Sequence, residues 1–167
     1  MVSSSEKDPV DDILAQWHRE RPDLDVSPMG LIGRMTRLAS HLRKAIGKTF
    51  AEFGLQLGEF DVLATLRRSG APYQLTPTEL FKSMMVSSGT MTNRIDRLEH
   101  SGLVERIPDV RDRRGTLIQL TDKGLNLIDE AVTAHVENEH RILSDLSQQE
   151  KEALSDLLRK LLLSFEA

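Results

Sequence analysis

The sequence predicts a mainly α-helical protein with one small β-hairpin. Three observations carry that expectation. Apolar residues recur at steps of three and four along most of the chain. Boxes of the type Ser/Thr-x-x-Glu stand before such runs at Thr76–Glu79 and Ser147–Glu150. The period changes once, after Gly102, to two short extended runs separated by a polar turn.

The elements follow in order. Asp8 to Arg19 carries Ile13, Leu14 and Trp17, an apolar set that suggests a short amphipathic helix. The segment RPDLDVSP (21–28) ends it with two prolines. A long helix follows, with Ile32, Met35, Ala39, Leu42, Ile46, Phe50 and Phe53 on one stripe and Gly54 as its stop. Residues 57–68, LGEFDVLATLRR, are apolar on nearly every side and predict a buried helix closed by Ser69-Gly70. Thr76-Pro77-Thr78-Glu79 opens a short helix with Pro at its first position. Ser87 caps a further helix, SSGTMTNRIDRLEHSG, which Gly102 ends. Leu103–Ile107 and Thr116–Leu120 form the hairpin, with PDVRDRRG between them. Thr121 caps a helix to about Leu143, and the Ser147 box opens a last helix rich in leucine.

Composition excludes several classes. The 167 residues contain no cysteine, so a disulfide scaffold, cysteine-ligated zinc, an iron–sulfur cluster and a thiol nucleophile are out. No apolar run approaches the roughly 18 residues of a membrane span, and no secretory leader follows Met1, which makes a cytoplasmic location the expectation. The five histidines do not pair on one helical face, so no metal site is expected, and no cofactor is implied. Neither a nucleophile elbow nor a phosphate-cradling glycine loop is present, and no catalytic residues are assigned.

The net charge of −4 argues at first against a polyanionic partner. It is unevenly spread. Residues 1–27 carry −4, residues 28–121 carry +5 and residues 122–167 carry −5. A basic middle between acidic ends is compatible with a central segment that faces nucleic acid.

The order helix, short helix, helix, hairpin over 57–121 is that of a winged helix-turn-helix, whose second helix can lie in the DNA major groove. At about 100° per residue, Met91, Ile95 and Leu98 share the inward face of that helix. The outward face then carries Gly89, Asn93, Asp96, Arg97 and His100, flanked by Thr90 and Thr92. Asn93 and Arg97 suit base edges, and Thr90 and Thr92 suit phosphates or bases. Ser87 and Ser88 at the helix start suit a phosphate. Asp96 opposes this locally. At the hairpin tip Arg111, Arg113 and Arg114 suit phosphates or a narrow minor groove, and the carboxylates of Asp109 and Asp112 are read as internal splints. The 28–53 helix and the leucine-rich last helix offer more apolar face than one small domain needs, so both are expected at a dimer interface. The domain reading is an extension helix and linker at 1–27, a dimerisation helix at 28–56, the winged helix-turn-helix at 57–121 and dimerisation helices at 122–167.

The stretches FDVLATLRRSG (60–70), LTPTEL (75–80) and SSGTMTNRIDRLEHSGLVERIPDVRDRRGTLIQLTDKG (87–124) resemble the MarR family of bacterial transcriptional regulators. Asp109-x-Arg111-Asp112-Arg113-Arg114, followed by LTDKG at 120–124, is the most specific part. The resemblance implies a homodimer that binds double-stranded DNA at a near-palindromic operator and releases it when a small ligand binds, and it implies no enzyme. The segment ILAQWHRERPDLDVSPMGLIGRM (13–35) is similar to the N-terminal extension of the urate-responsive, PecS-like subgroup. That likeness implies a repressor whose ligand is a small anion, urate or a related purine. It assigns the ligand site to Trp17, Asp61 and Arg94, with a further arginine that is Arg67 or Arg68. The alternative is a regulator of the same type responding to phenolic acids or another metabolite, with the Trp17 segment only structural. From the residues alone, Arg94 lies at the margin of the buried face, and Asp61 among Phe60, Val62 and Leu63 requires a cationic partner.

Overall fold

A computed structural model describes residues 6–84, 91–110, 112 and 115–166. The elements are α1 (Pro9–Glu20), α2 (Ser27–Glu52), α3 (Leu57–Arg68), β1 (Gln74–Leu75), α4 (Pro77–Ser83), α5 (Met91–His100), β2 (Val104–Pro108), β3 (Thr116–Leu120), α6 (Asp122–Ile142) and α7 (Gln148–Glu166). They fall into two compact units. One comprises the chain up to Lys44 together with Glu139 onward, and the other runs from Ala45 to Asn138.

In the first unit, Asp8 caps α1. Its Oδ1 accepts from the backbone N–H groups of Val10 at 2.7 Å and Asp11 at 3.2 Å, and Asp11 Oδ2 accepts from Asp8 N–H at 2.9 Å. The anchor of α1 is Val10, which is buried, whereas Ile13 and Trp17 of the expected apolar set stay partly exposed. Val10 reaches α2 at Gly33, where a Cβ would already touch its methyl groups. Arg34 of α2 clamps the same end of α1, donating to Asp8 at 2.8 Å and to Asp11 at 2.7 Å. The Arg34 hydrogen bond holds the Asp8 carboxyl below the usual carboxylate range. The Asp11 carboxyl is lowered too, first by the Asp8 backbone N–H and then by Arg34. On α7 no residue is buried, and Leu157, Leu158, Leu162, Leu163 and Phe165 are exposed.

The second unit has a continuous core. Phe50, Leu63, Leu66, Leu80, Leu98, Ile118 and Ile128 are its largest fully buried side chains. Only Arg68 of α3 is exposed, because α4, α5 and β3 all pack against this helix. Three strands form an antiparallel sheet in the order β1-β3-β2. The hairpin aligns Val104 with Leu120 and Pro108 with Thr116. The added strand β1 pairs Gln74 with Gln119 and Leu75 with Ile118. Two residues have no period to read, so β1 carries no sequence signal. Gly54 and Gly102 adopt the left-handed conformation that stops α2 and α5.

The LTDKG segment ties three elements together. Thr121 Oγ1 accepts from Gly124 N–H at 3.0 Å, which caps α6, and donates to the Gly102 carbonyl at 2.8 Å. Lys123 Nζ donates to the Ser101 carbonyl at 2.8 Å. A Cβ on Gly124 would run into the Leu103 carbonyl, so only glycine lets α6 come this close to the start of β2.

Candidate nucleic-acid interface

Helix α5 divides as its period requires. Ile95 and Leu98 are buried and Met91 packs on the core, while Thr92, Asn93, Asp96, Arg97 and His100 are exposed. The outward face therefore presents an amide, a guanidinium and a hydroxyl, groups that bond base edges and phosphates. Ser87, Ser88, Thr90, Arg111, Arg113 and Arg114 lie outside the described residues.

The acidic residues of α5 have partners. Arg106 on β2 forms ion pairs with Asp96 and Glu99, and the Asp96 hydrogen bond raises the guanidinium above its ordinary value. One strand of the hairpin thus offsets the negative charge of these two carboxylates on α5. The unfavourable charge of Asp96 is visible in the sequence, but its partner is not. Arg106 occupies an exposed strand position, and its partners become visible only when β2 is laid against α5.

At the hairpin turn, Asp109 N–H donates to the Gly115 carbonyl at 3.0 Å and Gly115 N–H donates to the Asp112 carbonyl at 2.8 Å. Asp109 is only 7% exposed. That burial suits a residue that braces the turn.

Arg94 and Arg97 both reach the first turn of α3. The Arg94 guanidinium lies so close over Gly58 that a Cβ there would overlap it. Arg97 Nε lies 3.0 Å from Glu59 Oε1, an ion pair. Glu59 is 4% exposed, and its Oε2 accepts from Gln56 N–H at 2.7 Å. Gly58 and Glu59 are not among the residues that the sequence singles out. The pattern Gln56-x-x-Glu59 was a readable capping signal, but the arginine pairing was not.

One turn after Gly58 stands Asp61, half-buried on α3. Burial raises its carboxyl above the usual range, and the guanidinium charges of Arg94 and Arg68 offset part of that rise. His135 stands beside the stacked rings of Phe50 and Phe60, whose centroids are 3.8 Å apart. The two candidate arginines separate clearly. Arg67 pairs with Asp129 of α6 at 2.7 Å and lies 5.0 Å from the Tyr73 ring centroid. Arg68 donates to the Ser83 carbonyl and acts on Asp61. Trp17 belongs to the other unit, on α1, and is 40% exposed.

A helix pair with an exposed polar second helix and a β-hairpin behind it is a winged-helix DNA-binding unit. The MarR family matches residues 55–116. The chain is 48% identical over 149 residues to the HTH-type transcriptional regulator PecS of Dickeya dadantii, covering 89% of this chain and 90% of that protein. A crystal structure of a MarR mutant from E. coli complexed with operator DNA matches with a TM-score of 0.68 at 25% identity, covering 87% of this chain and 97% of that one. A MarR family regulator from Streptomyces coelicolor in complex with DNA matches in fold with a TM-score of 0.76 at 20% identity, covering 86% of this chain and 91% of that one. The chain belongs to the MarR family and is a DNA-binding transcriptional regulator of the PecS type. Its relatives are regulators and not enzymes, and among the described residues no helix is long and apolar enough to cross a membrane.

Proposed function

We propose that the chain is a cytoplasmic homodimeric repressor that a small anionic ligand, urate or a related purine, releases from a near-palindromic operator. The observation that carries this reading is the Asp61 cluster. A half-buried carboxylate, already disfavoured by burial, stands among Arg94 and Arg68, and Arg94 belongs to the helix that faces DNA. An anion entering beside it takes up guanidinium donors and repels Asp61. Arg94 then leaves its place on Gly58, α5 shifts, and the population moves from the DNA-competent state. The ligand must bind that second state more tightly for the release to follow.

Of the two arginine candidates we assign Arg68, because Arg67 is engaged by Asp129. Trp17 completes the set, on the likeness to the urate-responsive subgroup. Thr92, Asn93 and Arg97, with Ser87, Ser88, Thr90, Arg111, Arg113 and Arg114, are the proposed DNA contacts. Exposed Leu31 and Leu38 of α2 and the leucines of α7 support the dimer. A groove of about 440 Å³ among Leu31, Met35, Leu38, Leu154 and Leu158 gives a second copy a surface to fill. Sedimentation at twice the 18.8 kDa chain mass is expected, and a monomer would contradict the dimer.

Trp17 is the single tryptophan, so its fluorescence tests the ligand reading directly. Urate titrated into the protein should quench it saturably, with the quenching weakened in Arg68→Ala. A flat urate titration beside a saturable one with a phenolic acid would assign the ligand to that class instead.

A further inference from the structure

The first turn of α3 holds one carboxylate with little access to water, and it belongs to no part of the ligand cluster. Glu59 Oε2 is committed to Gln56 N–H at 2.7 Å, which closes the cap of α3. Its Oε1 meets Arg97 Nε at 3.0 Å, with 6% of the Glu59 side chain exposed against 52% of that of Arg97. The arginine is thus anchored at one edge and exposed over the rest. We propose that Glu59 is a positioning residue for DNA recognition: its carboxylate fixes the Nε edge of Arg97 and so presents the remaining guanidinium nitrogens from the outward face of α5. This rests on the reading of Arg97 as a DNA contact.

Two physical arguments favour an anchor over a competitor for DNA. A competing carboxylate would engage the guanidinium fork with both oxygens. Here one oxygen stands 3.0 Å from Arg97 Nε, and the other accepts from the backbone of Gln56. A free arginine also loses several rotatable bonds of freedom when it docks on a base or phosphate. The Glu59 contact removes part of that freedom before DNA arrives. A residue ordered in this way sharpens the preference for one sequence more than it strengthens general attraction to phosphate.

The experiment is a pair of titrations, each followed by fluorescence anisotropy. One duplex carries the region upstream of the gene, and the other is a random duplex of equal length. Glu59→Gln keeps an acceptor for the Gln56 cap and removes the charge. It should weaken binding to the upstream duplex by about tenfold, with much less loss on the random one. In an Arg97→Ala background the same change should have no further effect. Arg97→Lys, which leaves α3 untouched, should likewise lower the preference for the upstream duplex while keeping its affinity for the random one. Tighter binding by Glu59→Gln would overturn the proposal and make Glu59 a competitor. An equal loss on both duplexes, or a loss that persists in the Arg97→Ala background, would reduce Glu59 to a helix cap and overturn it too. Unchanged DNA binding by Arg97→Ala alone would instead remove Arg97 from the DNA contacts.

Discussion

Asp61 is a residue whose cost to the fold and use to the molecule point in opposite directions. Burial raises its folded pKa above the unfolded value. A raised carboxyl pKa means that the fold loses stability as pH rises from the ordinary value through the folded one. Asp61→Asn should therefore melt at a higher temperature than the wild type at pH 7, with the gap closing in acid. A lower melting temperature at pH 7 would show that the arginines outweigh burial. The need for a cation beside Asp61 was legible in the sequence, because an isolated carboxylate among apolar neighbours has too high a cost. Which cations answer it was not legible. Arg67 and Arg68 are adjacent and alike, and only the position of Asp129 on α6 separates them.

At the scale of elements, the helices were readable because their signals are local. The Thr76 box, the Ser147 box and the stripe Met91, Ile95, Leu98 each lie within a few turns of chain. The contacts that set α5 in place are not local. Arg106 comes from the hairpin, and Glu59 and Gly58 come from α3. The close approach at Gly124 is of the same kind. Its Cβ would have to push the Leu103 carbonyl away, and that carbonyl also accepts from Thr121 N–H at 3.2 Å. Gly124→Ala should destabilise the protein by about 2–3 kcal/mol, a typical cost of overpacking against rigid backbone. Thermal or urea unfolding checks this, and an unchanged midpoint would contradict the close approach.

On the scale of the whole molecule, a net charge of −4 conceals its own arrangement. The basic excess lies between residues 28 and 121, which include the winged helix, and the acidic excess lies in the first 27 residues and from 122 onward. For a DNA-binding regulator the sum is therefore the wrong quantity, and the local balance is the relevant one. The leucines of α7 raise a matching point. Their spacing is legible as an amphipathic helix, but a single chain leaves their apolar face exposed. The proposed homodimer would use that face as its interface.

In the proposed switch, a small anion and the operator compete through Arg94. The most direct measurement is the affinity for the upstream duplex at fixed salt with increasing urate, for the wild type and for Arg94→Ala. Salt must be held constant because phosphate contacts make such affinities steeply salt-dependent. Urate is expected to lower the affinity of the wild type by at least about tenfold and to leave that of Arg94→Ala nearly unchanged. Equal release of both proteins by urate, or release of neither, would contradict it.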